Sequence, residues 1–104
     1  MNWLYLMIAG FFEIFWAVGL KFSQGFSKIV PSIFTGVGML ASFYFLSLAL
    51  KKLPLSIAYA IWTGIGTVGT VLFGVIYFGE SISLAKIICV AMIVFGIIGL
   101  RILN

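Results

Sequence analysis

The chain has no histidine and one cysteine, and only two of its 104 residues are acidic. Without histidine, and with Cys89 alone in an apolar run, the residues supply no nucleophile–base pair, metal-ligand cluster or phosphate loop. That argues against an enzyme, and no metal or cofactor is expected. Cys89 reads as a small core residue. Charge is nearly as scarce, at 8% of residues. The six cations are dispersed along the chain, so the clustered basic face of a nucleic-acid binder is missing. The first apolar run has no basic segment before it and carries Glu13 through its middle, so it does not read as a cleaved signal peptide.

Apolar residues fill the space left by these absences. They make up 64% of the chain, and the mean hydropathy is +1.34. A soluble domain of this length could not hide so much apolar surface, which makes this an integral membrane protein. Four apolar runs predict an all-α protein, residues 1–104 forming one subunit with transmembrane helices at about 3–22, 31–50, 55–78 and 84–103. Gly25 in the polar patch after the first run is free to take a left-handed cap conformation. Pro31 suits a first helical turn. Connections this brief place successive helices antiparallel and adjacent.

The only charge within the first run, from Trp3 to Leu20, is Glu13. Eighteen helical residues rise roughly 27 Å, which sets this carboxyl near mid-membrane. An ionised acid there costs several kcal/mol in lipid, so its side chain must face protein or a wet cavity. Such acids mark ion or substrate paths, the plainer alternative being a neutral, hydrogen-bonded structural Glu. On a helix, Ala9, Gly10, Trp16 and Ala17 share its face. The third run carries Tyr59 and Trp62 one turn apart, and the second carries Ser42 between Met39 and Phe43. A carboxylate, aromatic rings and donors that orient the acid suit a cation. Trp16 and Ser42 are the expected donors to the carboxylate, and Met39 and Phe43 a possible portal. Gly64 and Gly66 either bend the third helix or let a neighbour approach. Ala85, Cys89, Gly96 and Gly99 give the fourth helix small surfaces suited to association.

If the N-terminus lies on one side, Lys51, Lys52 and Arg101 lie there too, against Lys21, Lys28 and Lys86 on the other. Three against three gives the positive-inside bias no direction, and copies inserted both ways round become an expectation. Four helices leave little room for a substrate path. An oligomer follows, most simply a homodimer of opposite copies with inverted-repeat geometry.

The segments Glu13-Ile14-Phe15-Trp16, Leu20-Lys21-Phe22-Ser23-Gln24-Gly25-Phe26, Ser42-Phe43-Tyr44 and Leu53-Pro54, with Ala58-Tyr59-Ala60-Ile61-Trp62-Thr63-Gly64-Ile65-Gly66, together resemble the small multidrug resistance family along the whole chain. Trp16 resembles that family's guanidinium-exporting branch. The resemblance implies four-helix subunits in antiparallel, dual-topology homodimers of the bacterial inner membrane. It also implies export of guanidinium-type cations in exchange for protons, with a site of Glu13, Trp16, Ser42, Tyr59 and Trp62. Two positions depart from the pattern: Ser56 where the branch commonly has Gly, and Cys89 in place of the first of two paired glycines in the fourth helix. Other readings are export of quaternary ammonium compounds, or a non-transporting subunit in which Glu13 pairs with a partner's cation.

Overall fold

The computed structural model describes residues 2–103. It contains four helices: α1 (Asn2–Ser23), α2 (Ile29–Ala49), α3 (Leu55–Tyr77) and α4 (Leu84–Leu103). Each is long and apolar enough to cross a membrane. The second helix starts two residues before Pro31, which is compatible with proline because the N–H groups of a first turn have no intrahelical partner. The turn after α1 is built on buried Ser23. Its hydroxyl donates to the Leu20 carbonyl at 2.7 Å and accepts from Phe26 N–H at 3.1 Å. Its carbonyl accepts from the N–H groups of Ser27 and Lys28. Gly25 sits there at φ +75°, the left-handed conformation that glycine adopts without strain.

Small residues set the helix spacing. α1 meets α2 where Gly19 faces Thr35 and Gly38 faces Phe15 and Trp16, so ascending positions on one helix pair with descending positions on the other. α1 meets α3 where Gly10 faces Ile65 and Gly69 faces Ile14, so these two helices run parallel. The buried core is small: Leu6, Ala9, Ala49, Leu53, Ala58, Ile61 and Trp62. It lies towards the end of the body that holds the α2–α3 turn.

α4 packs on α3, where Gly64 faces Ile97, and Arg101 reaches across to lie over the Trp3 ring, 4.4 Å from its centroid. No α4 residue is buried. Cys89 is exposed, which corrects the expectation of a core cysteine. The reason is geometric: a helix resting along one neighbour leaves most of its circumference outside. The body measures 41 × 35 × 17 Å. Its shortest dimension makes the body a thin slab of packed helices.

Candidate functional site

Glu13 lies at the α1–α3 seam, with its carboxyl resting on Gly66. A Cβ at position 66 would stand 2.5 Å from Glu13 Cδ and 2.9 Å from Cγ. The glycine therefore acts as a seat for the acid. Among the described residues, Glu13 Oε1 is buried without a hydrogen-bond partner, and so are Trp16 Nε1 and Thr63 Oγ1. Trp16 is one turn beyond Glu13 on α1, and Thr63 one turn before Gly66 on α3. Every lysine and arginine lies in a connection or within a turn or so of a helix end, so no internal cation neutralises the acid. A half-buried carboxyl in that position, with one oxygen buried and unpartnered, is satisfied by a proton or by an entering cation.

A polar clamp sits one turn below Glu13. Ser42 Oγ donates to the Ala9 carbonyl at 2.7 Å. Trp62 Nε1 donates to Ser42 Oγ at 2.9 Å and to the Ala9 carbonyl at 3.2 Å. Ala9 and Ser42 are buried, and Trp62 is 6% exposed. The clamp joins α1, α2 and α3 at one backbone oxygen. This changes the expected role of Ser42, whose hydroxyl is spent on the helix backbone and not on the Glu13 carboxylate. The small Ala9 side chain lets α2 come close enough for the Ala9 carbonyl to be the acceptor in reach. The Trp16 N–H, the other expected donor, makes no bond to Glu13 in this geometry.

Aromatic rings extend outward from the clamp. Trp62 packs against Tyr59, centroids 5.4 Å apart, and against Phe43 at 5.9 Å. Tyr59 is 54% exposed and Phe43 is 47% exposed, so one edge of this cluster lies open beside the clamp. Met39, one turn before Phe43, is half-buried. α3 is continuous through Gly64 and Gly66, and both glycines are taken up by close approach, Gly64 to Ile97 and Gly66 to Glu13.

The geometry thus leaves two unpaired donor-capable groups, on Trp16 and Thr63, within about a turn of Glu13 and its seat, and sets Tyr59, Trp62 and Phe43 one to two turns away. Gly66, expected to bend α3 or to let a neighbour approach, is the point of approach to Glu13, a pairing that residue type alone does not reveal. A signal was present in the parallel run of α1 and α3, which brings positions 13 and 66 to the same level. The Ala9 carbonyl could not be found by side-chain chemistry, because its backbone supplies the acceptor.

The model of the Small Multidrug Resistance protein family matches residues 1–93. The chain is 55% identical to a guanidinium exporter of Proteus vulgaris over 101 residues, which is 97% of each chain. It is 54% identical to a guanidinium exporter of Yersinia pestis over the same shares. Identity to the guanidinium exporter of Escherichia coli K12 is 48%, covering 97% of this chain and 96% of that protein. With the four apolar helices and the seated acid, these similarities establish that the chain belongs to the small multidrug resistance family, whose members here are transporters and not enzymes.

Proposed function

We propose that the chain exports guanidinium and small guanidinyl cations in exchange for protons, by alternating access, as an antiparallel homodimer of oppositely inserted copies in the bacterial inner membrane. The observation that carries this reading is the buried, unpartnered Glu13 oxygen on its Gly66 seat, with a second unpartnered buried group, the Trp16 N–H, one turn on along α1. A carboxylate there holds a proton or a cation but not both well, and exclusive occupancy combined with alternating access is sufficient for antiport. Guanidinium is planar and rich in donors, so it meets a carboxylate edge-on while its face meets an aromatic ring. Names of relatives at about half identity over nearly the whole length support the substrate class. In this reading Trp62 and Ser42 hold the site's three helices in register, Tyr59 and Phe43 line the way in, and Met39 flanks that portal. Gly64 and Gly66 are where α3 adjusts as access switches.

A second substrate class, quaternary ammonium compounds, is supported by the exposed ring surface of Tyr59 and Phe43. Such ions need π faces and room more than donors. The test is purified protein in liposomes, with guanidinium, an alkylguanidinium and a quaternary ammonium compared as drivers of proton movement. Proton flux driven by the guanidinium compounds is the expected result. A protein that moves none of the three cations would lose the transport reading.

A further inference from the structure

Two concavities of the subunit lie away from the Glu13 site, and none of Glu13, Trp16, Ser42, Tyr59 or Trp62 lines either. One is an apolar groove of about 610 Å3 whose walls include Phe11, Phe15, Phe22 and Phe34. The other is a cleft of about 230 Å3 where α1 and α3 end, lined by Lys21, Thr70, Gly74, Phe78 and Glu80. Val18 and Phe73 line both, so the cleft and the groove are neighbours that share a wall.

The cleft carries opposite charges on opposite walls. Glu80 is drawn back onto the end of α3: Gly79 turns the chain at φ +66°, and Glu80 N–H donates to the Gly74 carbonyl at 3.1 Å. The carboxyl then lies where a side chain at Gly74 would be, a Cβ there falling 2.9 Å from Glu80 Cδ. Lys21 Nζ lies instead over the Phe78 ring, 5.8 Å from its centroid. The two charges share the cleft without forming an ion pair. A simple cation drawn by Glu80 is opposed by Lys21, and a simple anion drawn by Lys21 is opposed by Glu80. A zwitterion satisfies both.

The remaining features decide between a soluble zwitterion and a lipid. The cleft lies at the ends of two membrane-spanning helices, at headgroup level. The groove beside it runs along α1 from Phe22 towards Phe11, eleven residues or about 16 Å of rise towards mid-membrane. We propose that cleft and groove together bind a zwitterionic glycerophospholipid with a primary-amine headgroup, phosphatidylethanolamine. Its phosphate sits at Lys21, its ammonium at Glu80, and one acyl chain lies in the groove. A primary ammonium donates hydrogen bonds to the Glu80 carboxylate, which a choline headgroup cannot do. This assignment rests on the membrane location of the helices and not on the identity of the transported cation.

The test is native mass spectrometry of the full-length protein in detergent, offered phosphatidylethanolamine, phosphatidylcholine and phosphatidylglycerol with identical chains. The wild type is expected to retain phosphatidylethanolamine over each of the others by about fivefold, the scale of one exposed charge pair. Glu80→Gln should erase the preference over phosphatidylcholine and admit phosphatidylglycerol. Lys21→Gln should weaken retention of all three, and Lys21→Arg should restore it. Equal retention of the three lipids by wild type, retention of none, or an unchanged order in Glu80→Gln would each overturn the proposal. Both positions are exposed at helix ends, and recovery by Lys21→Arg separates loss of the site from loss of the fold.

Discussion

Glu13, Gly66 and Trp16 carry the chemistry in this reading, and each can be tested alone. Glu13→Gln removes the exchangeable proton and the charge while keeping nearly the same volume. Coupled transport should disappear while insertion and helix content are retained, and uphill guanidinium movement by this variant would remove Glu13 from the coupling step. Gly66→Ala sets a methyl group where the carboxyl now rests. Because Glu13 must shift to make room, guanidinium transport is expected to fall by tenfold or more, an effect on the order of 1–3 kcal/mol of overpacking. Full activity in reconstituted Gly66→Ala would mean that the seat is only a packing contact. Trp16→Gly removes a buried N–H that has no partner, one turn from the acid on α1. In the proposed cation-bound state that N–H closes on the carboxylate; a hydrogen bond to a charged group contributes roughly 1.5–3 kcal/mol, so its loss should lower guanidinium transport about ten- to a hundred-fold. Quaternary ammonium, which accepts and donates no such bond, should lose less. Relative flux of the two substrates in the same liposomes checks this, and an equal loss would assign Trp16 to packing.

At the scale of the helices, the clamp at the Ala9 carbonyl is the feature most open to measurement. Ser42→Ala removes both the donor to Ala9 and the acceptor for Trp62. It should destabilise the folded protein by about 1–3 kcal/mol, read as a lower midpoint of thermal unfolding in detergent. Trp62→Phe should cost at least as much, and the double variant less than the sum, because the two side chains share one network. Strict additivity would show that the bonds act independently. The helices themselves were legible from the sequence, since apolar runs broken by Ser23-Gln24-Gly25, Lys51-Lys52-Leu53-Pro54 and Gly79-Glu80-Ser81 leave few other arrangements. Glu13, Trp62 and Ser42 were legible as polar groups in apolar surroundings. Their wiring was not. Residue type says that Ser42 needs an acceptor, but helix register decides whether that acceptor is a carboxylate or the carbonyl one turn away. The exposed Cys89 departs from the expected core cysteine for a related reason: an apolar helix looks the same in sequence whether its neighbours are protein or lipid.

The whole subunit is a slab 17 Å thick with the acid at a seam, so the proposed path needs a second copy to close it. Opposite orientation of the copies is expected to appear as equal labelling of a single engineered cysteine from both sides of the native membrane; labelling from one side only would exclude it. Two added lysines in one connection should drive a copy into one orientation and silence it. Coexpression with a variant biased the other way should restore transport. The clamp also sets an order of events in time. Its three members lie at positions 9, 42 and 62, so everything it needs has been synthesised before α4 begins at Leu84. The clamp draws on α1, α2 and α3 alone, so its formation at the Ala9 carbonyl, with Glu13 on its seat, needs no residue of α4. In the proposed homodimer each chain would thus form its share of the site independently of α4, which leaves pairing with another copy to finished chains.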